Sequence, residues 1–78
     1  MSRALVEYVT GWLIDHPEDL QISEIENERG MTVLELSVNP EDTGKIIGRN
    51  GRIIRALRVL ARASAQRDGR SVAVEVVD

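Results

Sequence analysis

A chain of 78 residues can form one domain with one core, and its lack of cysteine excludes disulfide bonds and thiolate metal sites while suiting the reducing cytoplasm. With one Trp, one Tyr and no Phe, the core must consist mainly of Leu, Ile and Val, and no apolar run is long enough for membrane insertion. The net charge of −3 would argue against a polyanionic partner if the charges were spread evenly along the chain.

The charges are instead segregated. Residues 1–42 hold ten acidic residues against two arginines, a balance of −8. Residues 43–70 hold one lysine and seven arginines against one aspartate, a balance of +7, and residues 71–78 contribute −2. Because the local charge decides where a polyanion docks, residues 43–70 are the candidate binding region, and a solvated arginine surface is the alternative.

The first predicted element is a helix over residues 3–15. Ser2 is a suitable N-cap, and Pro17 ends the helix after Asp15 and His16. Apolar residues recur at helical spacing and predict one buried face, which includes both aromatic side chains: Leu5, Tyr8, Val9, Trp12 and Leu13.

Three segments are predicted strands. Residues 21–27 and the alternating residues 32–38 flank a turn at Glu28–Gly30 and should form a hairpin. The third strand comprises the alternating valines at positions 72, 74 and 76. Because two helices separate it from the second strand, we expect these two strands to be parallel neighbours.

Two helices occupy the connection between the second and third strands. The first begins near Glu41 and ends at Gly48, where we expect a left-handed backbone conformation. After a loop at Arg49 and Asn50, a long helix covers residues 51–66. The predicted fold is therefore α+β in the order α-β-β-α-α-β, with a three-stranded mixed sheet and three helices packed on one face.

The long helix has two distinct faces when its residues are projected at about 100° per residue. The face that should enter the core consists of Ile53, Ile54, Leu57, Leu60, Ala61 and Ser64. The opposite face continues from Arg49 and carries Arg52, Arg55, Arg58 and Arg62. Glycines at 48 and 51 can expose backbone N–H groups at the helix N-terminus, so this loop is a candidate anion-binding site.

The run from Ile46 to Ile54 resembles the signature of the KH (K-homology) RNA-binding domain. It contains two aliphatic residues, a Gly-x-x-Gly loop at residues 48–51, two further residues and another aliphatic residue, all between two helices. The order of elements is similar to that of the type II KH fold, and the resemblance covers nearly the whole chain. It implies a single KH domain over residues 1–78, as in small bacterial proteins that contain one such domain.

The resemblance implies a groove for about four nucleotides of single-stranded RNA, with no cofactor. The loop glycines would shape the clamp, and the two residues between them would face phosphate. The implied RNA-binding residues are the loop, the cations nearest to it and the aliphatic floor of the groove: Gly48, Arg49, Asn50 and Gly51; Lys45, Arg52 and Arg55; Ile47, Ile54 and Val38. The implied role is that of a bacterial post-transcriptional regulator or RNA chaperone.

The loop lacks neighbouring aromatic residues, which limits the predicted affinity. Stacking on an aromatic side chain contributes about 1–3 kcal/mol per base in proteins that use it. Here Tyr8 and Trp12 are predicted to lie in the core. We therefore expect modest, salt-sensitive binding with little sequence preference, carried mainly by phosphate contacts.

A protein-interaction module with little or no RNA binding is the alternative function. Small and aliphatic residues lie beside the arginine face of the long helix, and they could pack against a second helix: Ala56, Val59 and Ala63. Proteins of the kind resembled here form homodimers and pair with a larger Jag-type KH protein, so both partners are expected.

The sequence argues against an enzyme and against a metal site. Its one histidine, His16, precedes a proline at a helix end and has no cysteine or nearby serine to activate. Neither the phosphate-binding P-loop motif nor the dinucleotide-binding glycine spacing occurs. The acidic residues at positions 24, 26 and 28 alternate along the first predicted strand and into its turn, as expected of a solvated face.

Overall fold

The helices and strands follow the predicted order, and the predicted fold class is confirmed. The computed structural model describes residues 2–77; Met1 and Asp78, the two ends of the predicted domain, lie outside the described residues. The elements are α1 Ser2–Leu13, β1 Gln21–Glu26, β2 Thr32–Ser37, α2 Thr43–Ile47, α3 Arg52–Arg67 and β3 Val72–Val77. Short 3₁₀ turns at Pro17–Asp19, Pro40–Asp42 and Arg49–Gly51 precede β1, α2 and α3.

The sheet has the order β1-β2-β3, with β2 in the centre. β1 pairs with β2 in antiparallel orientation, so that Ile22 lies opposite Leu36. β3 runs parallel to β2, with Val74 level with Leu34. The predicted hairpin and the predicted parallel pair are both confirmed, and β3 is left as an edge strand beside α3.

The core is aliphatic, as the composition predicts. Leu34 and Leu36 of the central strand are at most 1% exposed. The helices cover the same face of the sheet with residues that are equally well buried, namely Val6, Ile46, Leu57 and Ala61. Burial of each Val, Leu or Ile side chain contributes about 1.5–3 kcal/mol, which is why so small a domain can hold three helices on one sheet.

The prediction that Tyr8 and Trp12 lie in the core is wrong. They are 66% and 77% exposed and contact each other edge to face, with ring centroids 6.3 Å apart. The helix instead buries the i, i+4 series Ser2, Val6 and Thr10, and the Ser2 hydroxyl donates to the carbonyl of Ala61 at 3.4 Å. Small side chains at this contact let α1 pack closely on α3, and aromatic rings would hold the two helices apart.

Two further details of the helices differ from the prediction. α1 ends at Leu13 rather than at residue 15, and α3 extends to Arg67. Within α3, Leu60 is 44% exposed although it is predicted to face the core, and Ala65, which is not among the predicted core residues, is buried. Leu60 lies at the margin of the contact between α1 and α3, where it lines a groove together with Leu5.

A buried carboxylate joins the end of α1 to the start of α2. The side chain of Asp42 is fully buried, and its two oxygens accept hydrogen bonds from the backbone N–H groups of Asp15, at 3.1 Å, and His16, at 2.9 Å. Burial by itself acts to raise the pKa of Asp42, but these two bonds and the charges of His16 and Lys45 outweigh it and lower the pKa. Asp42 is therefore ionised in the folded protein at neutral pH.

We predict that Asp42→Asn lowers the melting temperature at pH 7 by at least about 5 °C, because an amide can accept only one of the two N–H bonds and leaves the other donor unpaired. The folded pKa of Asp42 lies below its ordinary value of 3.8, so its contribution is present above that value and is lost as pH falls through the folded pKa. The difference between variant and wild type should therefore narrow in acid. Thermal melts followed by circular dichroism measure both effects.

Glu41→Gln is the matched control, since the neighbouring Glu41 side chain is 77% exposed. It should leave the melting temperature near that of the wild type. Equal melting temperatures for Asp42→Asn and the wild type at pH 7 would contradict the proposed role of Asp42.

Candidate nucleic-acid interface

The loop between α2 and α3 is a tight turn in which three of four residues have positive φ. Gly48 ends α2, and its N–H donates to the carbonyl of Gly44 at 2.8 Å. The turn is closed by the N–H of Gly51, which donates to the carbonyl of Gly48 at 3.1 Å. Asn50 has φ 57° and ψ 25°, and Gly51, the N-cap of α3, has φ 73° and ψ 18°.

Gly48 has the positive φ that we expect, but its conformation is not the predicted left-handed one. Its ψ of 171°, with φ 76°, places it in an extended region that is essentially restricted to glycine. The physical reason is that the chain must turn back at once onto the first turn of α3. A Cβ at position 48 would lie 2.9 Å from the backbone nitrogen of Ile53, closer than real Cβ contacts allow.

The two loop positions therefore require glycine for different structural reasons. At Gly48 both the backbone conformation and the contact with Ile53 exclude a side chain. At Gly51 an added Cβ would meet only the Ile54 side chain at 3.8 Å, an ordinary contact, so only the positive φ favours glycine there.

The loop presents unpaired backbone N–H groups. Within residues 2–77, the N–H groups of Arg49 and Asn50 make no hydrogen bond, because the bonds of the turn come from the N–H groups of Gly48, Gly51 and Arg52. The side chains of Arg49 and Asn50 are exposed. Two adjacent free donors beside a helix N-terminus form a site that favours an anion.

The predicted cations fall into two groups. Arg49 and Arg52 are exposed and make no ion pair or side-chain hydrogen bond with any of residues 2–77. Arg55 donates from Nη2 to the carbonyl of Asn50 at 2.7 Å and thus contacts the loop itself. Lys45 forms the second group with Arg55, because its side chain also has a partner within the protein.

Lys45 is bound to acidic side chains. Its ammonium group contacts the carboxylate of Asp15 and lies 3.5 Å from Asp42 Oδ1. The hydrogen bond to Asp15 raises the pKa of Lys45, against a smaller opposing effect of burial. The predicted RNA contact of Lys45 stays a prediction, and in this structure the side chain links α2 to the end of α1.

The three predicted floor residues differ in exposure. Ile47 is 38% exposed and is the last residue of α2, directly before the loop. Val38 is half-buried against the core, and Ile54 is only 7% exposed and belongs to the core. Ile47 is therefore the most exposed of the three, Val38 offers part of its surface and Ile54 almost none.

The exposed edge of β3 is a feature that the sequence pattern did not indicate. Arg58 donates from Nε to the carbonyl of Val74 at 3.1 Å, so the arginine face of α3 lies against this strand edge. Arg58 and Arg62 line a shallow depression of about 410 Å³ together with Met31 and residues 72–75. The alternation of valines predicted the strand, but only the packing of α3 shows which edge it borders.

A second surface lies on the flank of α3. Val59 is 62% exposed, and Ala56 and Ala63 are exposed beside it. Leu60 and Ala63 also line a groove of about 470 Å³ between α3 and Leu5 of α1. The predicted partner residues are therefore accessible, and Leu60 adds to the apolar area.

Residues 3–76 match the family model described as KhpA/KhpB, KH domain. This chain belongs to the KhpA/KhpB KH-domain family. Two curated relatives illustrate the similarity. RNA-binding protein KhpA of Leifsonia xyli subsp. xyli is 49% identical over 78 residues, which cover 100% of this chain and 97% of the relative. RNA-binding protein KhpA of Clostridium perfringens is 41% identical over 75 residues, covering 96% of this chain and 99% of the relative.

A solved structure supports the fold. The chain superimposes on part of a variant of Aquifex aeolicus Era bound to GDP.AlF4⁻ with a TM-score of 0.66 over 96% of this chain and 29% of that chain. At 21% identity this likeness shows the fold alone. The predicted KH resemblance is confirmed by the family match, and the prediction that the chain is not an enzyme agrees with this non-enzymatic family.

Residues 2–77 offer neither a metal-binding cluster nor a membrane-spanning helix. Their His, Asp and Glu side chains form no group of three or more that could hold a metal ion. Their helices also include none with the length and apolar character needed to cross a membrane.

We predict that Gly48→Ala destabilises the protein by about 2–4 kcal/mol, through backbone strain and displacement of Ile53. Gly51→Ala should cost only about 1–2 kcal/mol, the cost of a left-handed conformation. Urea denaturation measures both values.

Gly11→Ala serves as the control. Gly11 lies within α1, and a Cβ added there meets nothing within 4 Å, so the substitution should stabilise the protein by about 1 kcal/mol. Equal destabilisation by the substitutions at 48 and 51 would show that the contact with Ile53 is unimportant.

Proposed function

We propose that this protein binds single-stranded RNA by placing a phosphate of the RNA backbone against the loop Gly48–Gly51. The observation that carries the proposal is the pair of N–H groups at Arg49 and Asn50, beside the guanidinium groups of Arg49 and Arg52, all of them without a partner among residues 2–77. The name RNA-binding protein, carried by relatives that match nearly all of this chain, supports the same function.

The chemistry of the loop suits a phosphodiester. Because Gly48 and Gly51 lack side chains, an RNA backbone can approach the protein backbone closely. The free N–H groups then donate to non-bridging phosphate oxygens, and the Arg49 and Arg52 guanidinium groups add charge-assisted hydrogen bonds. The Asn50 side-chain amide supplies one more donor.

The charge distribution directs RNA to this face. The exposed arginines of α3 extend the positive surface from the loop along the helix, whereas residues 1–42 carry a balance of −8. A polyanion is attracted to the first surface and repelled by the second. The overall negative charge of the protein is therefore compatible with RNA binding.

The bases would lie between Ile47 and the exposed edge of β3. Ile47 offers apolar surface, and the strand edge offers backbone hydrogen-bonding groups beside Arg58 and Arg62. The two aromatic residues of the chain belong to α1, so the loop and α3 provide no stacking platform. We therefore propose binding of modest affinity and low sequence preference, dominated by the RNA backbone.

At the cellular level we propose a bacterial, cytoplasmic post-transcriptional regulator or RNA chaperone. A small single domain with backbone-dominated contacts can bind many transcripts and exchange among them. The bacterial origin of the curated relatives supports this setting.

The second candidate function is protein association through the flank of α3. Val59 and Leu60 are large apolar side chains that are 62% and 44% exposed on one helix flank, with alanines beside them. The partner would be a second copy of this chain or a larger Jag-type KH protein. Since this flank differs from the loop surface, association and RNA binding can coexist.

We predict that replacing both Arg49 and Asn50 with Asp abolishes binding of an unstructured single-stranded RNA, because the two new carboxylates repel phosphate. Fluorescence anisotropy measures the binding. Circular dichroism and the melting temperature should stay near wild type, because both side chains are exposed.

A charge-matched control replaces Arg70 and Ser71 with Asp. Both are exposed and follow α3, whose 16 residues span about 24 Å. The control should retain most of the RNA affinity. Unchanged affinity in the loop variant would refute the phosphate clamp.

We predict concentration-dependent dimerisation that Val59→Glu weakens at least tenfold, roughly the effect of burying an unpaired charge in an interface. Sedimentation velocity over a concentration series measures the association. Tyr8→Glu, which changes an exposed residue of α1, is the control and should leave the dimer intact. A wild-type protein that remains monomeric at high concentration would reject the homodimer.

A further inference from the structure

The side chain of Arg55 and the loop together fix a single peptide plane. The peptide unit between Asn50 and Gly51 has its carbonyl bound by Arg55 Nη2 at 2.7 Å and its N–H bound by the carbonyl of Gly48 at 3.1 Å. Both ends of the same rigid unit are therefore held, by groups on opposite sides of the loop. A rotation of this peptide would break both bonds.

This peptide follows the residue with the least favourable backbone conformation in the loop. Asn50 is the only residue other than glycine with positive φ among residues 2–77, and the conformation is sparsely populated even for Asn. The carbonyl of Asn50 precedes Gly51, the N-cap of α3, so it lies outside the α-helical hydrogen-bond ladder. The guanidinium of Arg55, one helical turn further on, reaches back to it.

We propose that Arg55 is a positioning residue that holds the Asn50–Gly51 peptide in its binding orientation, and that it does not contact RNA phosphate itself. Its consequence for affinity rests on the proposed RNA-binding function. With this peptide fixed, the free N–H groups of Arg49 and Asn50 keep one orientation before RNA arrives. Binding then requires little ordering of the loop.

This assignment divides the arginines around the loop by function. Arg49 and Arg52 have no partner within residues 2–77 and are available to phosphate. Arg55 already uses its guanidinium on the loop. A lysine would keep the charge of Arg55 but not its planar fork, because the lysine ammonium group is a compact, strongly hydrated point charge.

The first measurement uses the RNA-free protein. Solvent exchange of the Gly51 amide, followed by NMR, reports whether its bond to Gly48 persists. We expect Arg55→Lys and Arg55→Gln to accelerate this exchange by about fivefold, the factor that loss of one hydrogen bond of ordinary strength confers. Arg52→Gln and Arg67→Gln, which remove other arginines of α3, should leave it unchanged.

The second measurement compares affinity for an unstructured single-stranded RNA across a series of KCl concentrations. Loss of one phosphate contact reduces the slope of log K against log salt by about 0.7 for single strands. Arg52→Gln should show this reduction. Arg55→Lys should weaken binding about fivefold with an unchanged slope, because it keeps the charge and loses the hydrogen bond.

The outcomes separate the proposal from the proposed function. Wild-type Gly51 exchange in both Arg55 variants would overturn the positioning role, whatever the RNA data show. Wild-type affinity for Arg55→Lys, combined with a slope reduction for Arg55→Gln equal to that of Arg52→Gln, would make Arg55 a direct phosphate contact. If the wild-type protein binds no RNA, the proposed function fails, and the exchange data still decide whether Arg55 holds the loop.

Discussion

The contact between Gly48 and Ile53 determines the geometry of the interface. Because position 48 has no Cβ, α2 can end and α3 can begin within four residues, with the backbone of one packed on the first turn of the other. This places Ile46 and Ile54, from the two helices, in the same core. The loop is therefore part of the packed scaffold, and the orientation of its free N–H groups is set by folding.

The arginine face of α3 is less uniform than its sequence indicates. Like charges on one helix face destabilise it by a few tenths of a kcal/mol per pair unless they are neutralised. Arg55 and Arg58 each donate to a backbone carbonyl outside the helix, of Asn50 and Val74 respectively. These bonds offset part of the repulsion and tie α3 to the loop and to β3. Arg49 and Arg52 make no such contact within the part of the chain that the structure describes.

The acidic half of the chain has a structural function of its own. Asp42 accepts the backbone N–H groups that follow α1, and it holds Lys45 and the start of α2 beside them. One acidic residue of this half, Asp42, thus anchors the end of α1, the helix farthest in sequence from the loop. The close packing of α1 on α3 leaves Tyr8 and Trp12 on the surface of α1.

The sequence by itself determined the order of elements, the parallel pair, the aliphatic core and the positions of the loop glycines, because periodicity and backbone restrictions are local properties. The tertiary structure decided which face of α1 is buried, since a contact between small residues such as Ser2 and Ala61 produces no hydrophobic pattern. It also decided the different environments of three predicted cations. Among residues 2–77, Arg52 has no side-chain partner, Arg55 donates to the nearby loop and Lys45 contacts Asp15, 30 residues earlier. The turn geometry decides the second contact and the packing of α1 on α2 decides the third, and residue spacing shows neither.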